Sequence, residues 1–468
     1  MSRFERVAKI AAVGIVVTTV ISGIAGATLA GSLGNIKVQD ISNQLSNRPT
    51  KNPNPSEGEP INILVIGTDT RQGQGTSFGK GFGASQRSDT VILVHIAGNR
   101  KWATAVSLPR DTQVNSPDCI LEDGKISKGG SARFNLAFGR GGPACTITQV
   151  EAITGVFIDH FVVVNFHGVQ AIVKSIGGVE VCLNKAVKDK DSKLNLPAGV
   201  TNLDGGQALA FLRARHNLGD GSDISRIRRQ QDFLASLTKK VMSAGTLLNP
   251  IKLVNLLNAV ADSLTTDPGI GTIDGMKDVA IQLQDLKPST VRFITAPNSP
   301  NPANRATVLF NAKAEELFAA LRADTQWPKP ADTGFDGKPL TVKPSDIRMQ
   351  VVNGTSTAGL GKKKAALLHT LGFRIAATSN TTAALGKETA VWATAKNLNA
   401  ARTVAKSLGL SEVKTLKSAK GLSAGLVVVV GDNFTDPVDV TVKTTKLNTG
   451  WYAPTEGRAA DEVACSSV

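Results

Sequence analysis

The sequence predicts an α/β protein: a layered domain, a smaller α+β module after it, and an apolar helix before it. Three observations carry this. From Ile61 to Leu321, apolar runs of strand length alternate with stretches of helical period, the pattern of helices layered on a sheet. A Pro-, Asp-, Gly- and Lys-rich stretch from Thr325 to Pro344 separates this region from a second alternating segment. No charged residue occurs between Lys9 and Lys37, where Ile, Val, Ala and Gly dominate.

In chain order, residues 1–9 form a short basic N-terminus and 10–33 an apolar run long enough to cross ~30 Å of hydrocarbon as a helix. Arg3, Arg6 and Lys9 precede that run, so by the positive-inside rule the N-terminus is cytoplasmic and the rest of the chain lies outside. A cleavable signal peptide ending at Ala25-Gly26-Ala27 is the rival, but the run continues to Leu33, which favours an uncleaved single-pass anchor. Residues 34–60 are polar and read as a linker.

Within the main domain, 61–322, strands are expected at Ile61–Ile66, Thr90–Ile96, Trp102–Leu108, Phe161–Phe166 and Thr290–Ala296. Helices are expected at Thr146–Thr154, Val169–Ile176, Gly206–Leu212, Ser225–Val241, Leu247–Leu264 and Ala312–Leu321. A linker, 323–345, leads to the module at 346–434. Its strands are expected at Ile347–Val352, Arg374–Ala377, Val413–Leu416 and Leu426–Val430, its helices at Leu360–Leu371 and Leu398–Leu408. Residues 435–468 read as a flexible tail.

The 468 residues carry a net charge of +15, which points to an anionic partner. An extracytoplasmic location and one tyrosine with four tryptophans argue against nucleic acid as that partner. Four cysteines do not make a disulfide scaffold, and none shows zinc spacing. Outside the cytoplasm disulfides persist, and Cys119 pairs most naturally with Cys145 across one polar stretch, with Cys182 and Cys465 unassigned.

Charged clusters fall at the ends of the expected strands. Asp69 follows the first strand, and Arg87 and Asp89 stand at the head of the second. A lone Asp at a strand end is more often a turn cap. Two carboxylates brought together by adjacent strands suit a divalent cation, with Mg²⁺ the first choice and Mn²⁺ the second. The glycine-rich stretch Gln72–Ala84 between them lacks a Gly-Lys-Ser/Thr ending, so it reads as a flexible lid or surface loop rather than a nucleotide loop. Pro109 ends the third strand and delivers Arg110 and Asp111 at the sheet edge. The densest basic signal is Arg213-Ala214-Arg215 followed by Arg226-Ile227-Arg228-Arg229-Gln230-Gln231. Arg226, Arg229 and Gln230 share a helical face, and converging guanidiniums suit a pyrophosphate. The bland reading is a solvated basic face. Arg133 is a single basic residue before an apolar stretch.

These blocks, from Asn62-Ile63-Leu64-Val65-Ile66-Gly67-Thr68-Asp69 through Arg87-Ser88-Asp89-Thr90, Ser107-Leu108-Pro109-Arg110-Asp111, Ile176-Gly177-Gly178-Val179, Leu196-Pro197-Ala198-Gly199 and Phe211-Leu212-Arg213-Ala214-Arg215 to Arg226–Gln231, resemble the LytR–CpsA–Psr family in order and spacing. The module beginning Val351-Val352-Asn353-Gly354-Thr355 resembles the LytR-type C-terminal domain of actinobacterial members. The resemblance implies a layered α-β-α catalytic domain with a mixed central sheet. It implies a Mg²⁺-dependent phosphotransferase that moves a glycopolymer, such as arabinogalactan, from a polyprenyl-pyrophosphate-linked donor to peptidoglycan at the membrane lipid surface. Asp69 and Asp89 are then the metal and catalytic carboxylates, and Asp111 orients Arg110. Arg110, Arg213, Arg215, Arg226 and Gln230 hold the pyrophosphate, with Arg87, Arg133 and Arg229 completing the basic set. Arg133 stands where members commonly carry Lys. A polyprenyl-pyrophosphate phosphatase and a non-catalytic scaffold binding lipid-linked glycans are the competing readings.

Overall fold

The computed structural model describes residues 36–51, 58–68, 88–214, 223–243, 261–272, 286–381, 385–442 and 458–459, with single positions between 256 and 283. The side chains of 166–167, 223–228, 243 and 458–459 lie outside that description. The chain divides into two compact units, Met1–Thr325 with Trp451–Val468, and Gln326–Gly450.

The first unit contains β1 (Lys37–Val38), β2 (Ile61–Thr68), β3 (Ser88–Ile96), β4 (Ala103–Leu108), β5 (Gln113–Ser116), β6 (Gly130–Arg133), α1 (Leu136–Thr154), β7 (His160–Val164), α2 (Phe166–Ser175), β8 (Val179–Leu183), β9 (Gly199–Leu203), α3 (Gly205–Arg213), α4 (Asp223–Ser243), β10 (Leu264–Thr266), β11 (Val291–Thr295) and α5 (Ala312–Arg322). The second unit contains β12 (Arg348–Asn353), α6 (Leu360–Thr370), β13 (Arg374–Asn380), β14 (Ala390–Ala393), α7 (Leu398–Ser407), β15 (Lys414–Thr415) and β16 (Leu426–Val430). The chain then returns to the first unit as β17 (Arg458–Ala459).

An eight-stranded sheet runs β1-β10-β7-β2-β3-β4-β11-β17. It is mixed: β2 is parallel to β7 and antiparallel to β3, and β4 is antiparallel to β3 and parallel to β11. The central strands are nearly continuous apolar runs because both faces are covered. Ile63, Ile92, Ile96, Ala103 and Ala105 pack with Leu234 and Ala235 of α4. Their alternates Leu64, Ile66, Leu93 and Val106 point to the opposite face and are fully buried, on the side where α1 packs on β3 and α5 on α1. A second core joins α2, α3, the β8–β9 hairpin and Phe233 of α4, with the Phe211 and Phe233 rings 6.5 Å apart.

Several expected boundaries move. α1 begins at Leu136 rather than Thr146, with a break at Gly141 and Gly142, where Pro143 disfavours helical backbone in the residue before it. Most of Leu247–Leu264 lies outside the described residues, but Leu264 itself is in β10. The expected linker 34–60 is partly structure: β1 pairs with β10, and Ile36 and Ile41 are buried. Residues 323–345 are not a free linker either. Asp324 belongs to the first core, where its two oxygens accept from Gly98 N–H and meet His95 Nε2 at 2.9 Å, while His95 Nδ1 lies 2.7 Å from Asn62 Oδ1. In the second unit Leu340 is fully buried and Arg402 holds Asp336 at 2.6 Å. The expected flexible tail is held at its start by Ser407 and Asp332, which bond to the backbone of Val438 and Thr441, and Arg458–Ala459 pairs with β11.

The second unit has a five-stranded sheet, β13-β12-β16-β14-β15. α6 and α7 cover one face through Leu368, Val404 and Leu408 against Met349, Val351 and Val428. Loop residues Leu385 and Leu422 cover Val352, Val427 and Val429 on the other. The sequence pattern misses β14, a four-residue run too short to show a period.

Cys119 and Cys145 are disulfide-bonded, as expected, with Cα atoms 5.2 Å apart. Cys182 is also disulfide-bonded, and its partner lies outside the described residues, as does Cys465. No helix among the described residues is long and apolar enough to cross a membrane, and the run 10–33 lies outside them.

Two outcomes follow for stability. Replacing Cys119 and Cys145 with serine reopens a loop of sequence separation 26 and should cost about 3 kcal/mol, read from chemical unfolding without reductant. Asp267 accepts from Phe161 N–H at 2.9 Å and Gly269 N–H at 2.8 Å and meets His160 Nδ1 at 3.0 Å. Burial works to raise its pKa, but these bonds and the His160 charge outweigh it and hold the carboxyl below its usual 3.8. A depressed carboxylate stabilises the fold above its unfolded pKa and loses that contribution as pH falls. Asp267→Asn should therefore lower the unfolding midpoint at pH 7, and the gap to wild type should close as pH drops below 3.8.

Candidate functional site

Three chain ends meet at one edge of the sheet because of how β2, β3 and β4 pair. Thr68, the last residue of β2, pairs with Ser88, the first of β3, and Leu108, the last of β4, pairs with Val91. A register shift between Gly67 and Thr68 marks a bulge there, a device that re-aims side chains at sheet edges. Pro109 cannot donate to the ladder and releases the chain from the sheet. Thr112 closes the turn, its N–H and hydroxyl donating to the Pro109 carbonyl at 3.1 and 2.8 Å. Asn135 N–H donates to the Arg110 carbonyl at 3.1 Å, so Arg110 stands on a braced turn.

Its guanidinium spans two carboxylates. One terminal nitrogen donates to Asp89 Oδ1 at 2.9 Å, and Nε donates to Asp111 Oδ2 at 3.3 Å. Arg133 donates to the other Asp111 oxygen at 3.4 Å. The β5–β6 pairing explains its position, because it sets Arg133 opposite Gln113, two residues past Asp111. The result is a chain of alternating charge, Asp89–Arg110–Asp111–Arg133. With 38% of the Asp89 side chain and 22% of the Arg110 side chain exposed, the pair is desolvated enough for charge to matter and open enough to meet a ligand.

Arg213 lies in the last turn of α3, where the helix dipole favours a cation, and is half-buried. Arg229 is buried on α4, donates to the carbonyl of Ala214 at the end of α3, and lies 5.9 Å from the Phe211 ring centre. Gln230 beside it is half-buried. Gln231 Nε2 donates to Thr295 Oγ1 at 2.8 Å, and Thr295 pairs with Ser107 of β4. That bond anchors the arginine-bearing half of α4 above the strand end that delivers Arg110. Asp69, Arg87 and Arg215, and the side chain of Arg226, lie outside the described residues.

Three contributors escape a reading of the sequence. Gln231 closes the motif Arg226–Gln231 and is a usable signal. Ser88 and Asn135 carry none, since only the fold shows the Ser88 hydroxyl and Asn135 Oδ1 to be buried without a hydrogen-bond partner beside Asp89 and Arg110. Among the described residues no three His, Cys, Asp or Glu side chains gather into a metal site. Both oxygens of Asp111 accept from Arg110 and Arg133, while Asp89 and the orphaned Ser88 hydroxyl beside it are hard oxygen donors. They fit Mg²⁺ if substrate oxygens and water complete the shell, as is usual for that ion.

Residues 30–325 match the model of the LytR_cpsA_psr family, and residues 346–434 match the model described as LytR cell envelope-related transcriptional attenuator. The chain is similar to the cell wall biosynthesis protein LcpA of Corynebacterium glutamicum, 31% identical over 381 residues, which are 74% of this chain and 72% of that one. It is 30% identical over 223 residues to the polyisoprenyl-teichoic acid–peptidoglycan teichoic acid transferase TagU of Enterococcus faecalis, covering 48% of this chain and 65% of the other. Among solved structures it resembles the LytR-Csp2A-Psr enzyme from Actinomyces oris, with 25% identity, a TM-score of 0.45, and coverage of 61% of this chain and 95% of that one.

Adjacent residues on α4 should behave differently when truncated. Arg229→Ala removes the donor to the Ala214 carbonyl and should destabilise the first unit by about 2 kcal/mol. Gln230→Ala should change stability by less than about 0.5 kcal/mol. Thermal unfolding of both variants checks this.

Proposed function

The chain belongs to the LytR–CpsA–Psr family, and from that premise we propose that it transfers a glycopolymer from a polyprenyl pyrophosphate carrier to peptidoglycan, outside the cytoplasmic membrane. Residues 10–33 anchor it there with the N-terminus inside. The observation that carries the reading is Arg110 fixed between Asp89 and Asp111 at the edge formed by β2, β3 and β4. The names of the relatives, cell wall biosynthesis for LcpA and teichoic acid transfer to peptidoglycan for TagU, support the same reaction class.

The chemistry suits these groups. A hydroxyl of the peptidoglycan glycan attacks the phosphorus nearest the donor glycan. The new phosphorus–oxygen bond forms as the bridging bond of the pyrophosphate breaks, polyprenyl phosphate leaves, and the hydroxyl proton passes to a carboxylate. The carrier's pyrophosphate stores the driving free energy, so no nucleotide is needed. Arg110, with Arg133 beside it, binds phosphate oxygens through planar forks and stabilises the charge that builds on the leaving phosphate. Arg213 on α3 and Gln230 on α4 extend that surface, and Arg215 and Arg226 join it by the family resemblance of their motifs. Arg229 positions it by holding the end of α3. Mg²⁺, or Mn²⁺ in its place, would sit on Asp89 with Asp69 and supply further charge neutralisation. Asp89 offers its second oxygen to the cation or to the hydroxyl proton.

Full-length protein in detergent, given a polyprenyl-pyrophosphate-linked glycan, Mg²⁺ and peptidoglycan fragments, should yield a glycan–phosphate–peptidoglycan product by mass spectrometry. Arg110→Ala should reduce product at least a hundredfold. Cleavage of the pyrophosphate without ligation would make the protein a phosphatase, and donor binding without turnover a scaffold. Asp89→Asn separates base from ligand: raised Mg²⁺ should restore turnover if Asp89 holds the cation, and should not if Asp89 takes the proton.

A further inference from the structure

The segment that follows the apolar run is bound to the first unit as a strap. Ile36 and Ile41 are buried, and Gln39 N–H continues the pairing of β1 by donating to the Thr266 carbonyl at 2.8 Å. Arg48 Nε lies 3.1 Å from both oxygens of the buried Glu151, its guanidinium stacks 3.7 Å from the Phe157 ring centre, and it donates to the Ile158 carbonyl. Lys51 meets Asp159 at 2.7 Å. A spacer that hangs free would make none of these contacts.

The register of the sheet says where the strap leads. Lys37 pairs with Thr265, Thr265 with Val163, Val163 with Ile66, Ile66 with Val91, and Val91 with Leu108. These six residues form one row across the sheet. β1 is antiparallel to β2 through these pairings, so the step from Lys37 back to Ile36 runs the same way as the steps from Ile66 to Thr68, from Val91 to Asp89 and from Leu108 to Arg110. The chain therefore leaves the strap, toward its N-terminus, over the edge that carries Asp89 and Arg110. Three strand spacings, about 14 Å, separate β1 from β2. A twist of about 20–25° per strand tilts that edge across those steps without reversing it.

We propose that the sheet edge running from β1 to β2 faces the lipid headgroups of the membrane, with the strap as a rigid mount for the site. This rests on reading residues 10–33 as the anchor. With the apolar run ending at Leu33, only residues 34 and 35 separate it from Ile36 of the mount, a reach of about 10 Å. A prenyl chain buried in hydrocarbon keeps its diphosphate at headgroup level. A fixed edge at that level meets the diphosphate without first drawing it far into the aqueous phase.

The test is a distance measurement that needs no turnover. Full-length chains carry a donor dye at Asp262→Cys, exposed just before β10 on the proposed edge, or at Lys101→Cys, exposed in the β3–β4 turn on the opposite edge. Labelling is done without reductant, and the chains are placed in nanodiscs of phosphatidylglycerol and phosphatidylethanolamine with a headgroup acceptor dye. Energy transfer should be at least twofold higher from position 262. Twelve Gly/Ser residues inserted after Leu33 should remove the difference. Equal transfer in the unmodified chain, or more from position 101, would overturn the proposal. Failure of the chain to enter the nanodisc would overturn both it and the anchor, whereas failure of the transferase reading would leave this result standing.

Discussion

β3 runs antiparallel to both β2 and β4, and that pairing makes one edge of the sheet hold the end of one strand, the start of the next and the end of a third. Asp89 and Arg110, twenty-one residues apart, become a 2.9 Å ion pair only through it. The pairing is secured by burial on both faces. Leu64, Ile66, Leu93 and Val106 are sealed on one side and Ile63, Ile92 and Ala105 on the other, so a slip of one residue would send each set to the wrong core. The apolar rows keep the polar edge in place.

At that edge the protein balances like and unlike charge. A surface Arg–Asp pair stabilises little by itself. Here the pairs are chained, with Arg110 shared between two carboxylates and Asp111 between two arginines. Each carboxylate holds a guanidinium in a defined plane and offsets part of its charge. α4 contributes by a different route. Arg229 turns inward to the end of α3, and Gln231 reaches the end of β11, so these two polar residues tether the helix at the C-terminal end of its basic segment.

The boundaries of the first unit are more tightly held than their composition suggests. Residues 36–51 pair and form ion pairs with it, Asp324 bonds to the fully buried His95, and Arg458–Ala459 adds an edge strand after the chain has built a whole second unit. Polar, proline-rich composition does not exclude docking. Arg48 and Asp324 are the residues that a hydropathy profile discounts, yet each finds a complementary group that the fold supplies from more than a hundred positions away.

The alternation of apolar strands and helices, and with it the layered fold, is legible in local pattern alone. The edge position of Arg110 and Asp111 was legible too, because proline after a buried run ends a strand wherever it occurs, and that of Asp89 because it heads an apolar run. The cysteine pair Cys119–Cys145 and the family were legible in the same way, from local order and spacing. Long-range packing sets what local pattern cannot encode. The sharing of Arg110 and Arg133 around Asp111 depends on strand pairing. The inward turn of Arg229 depends on a carbonyl that another helix leaves exposed. Helical periodicity shows that Arg226, Arg229 and Gln230 lie on neighbouring positions, but which of them meets solvent is set by what the helix packs against. The short strands β1, β14 and β17 are likewise fixed by partners distant in sequence, since two to four residues carry no period of their own.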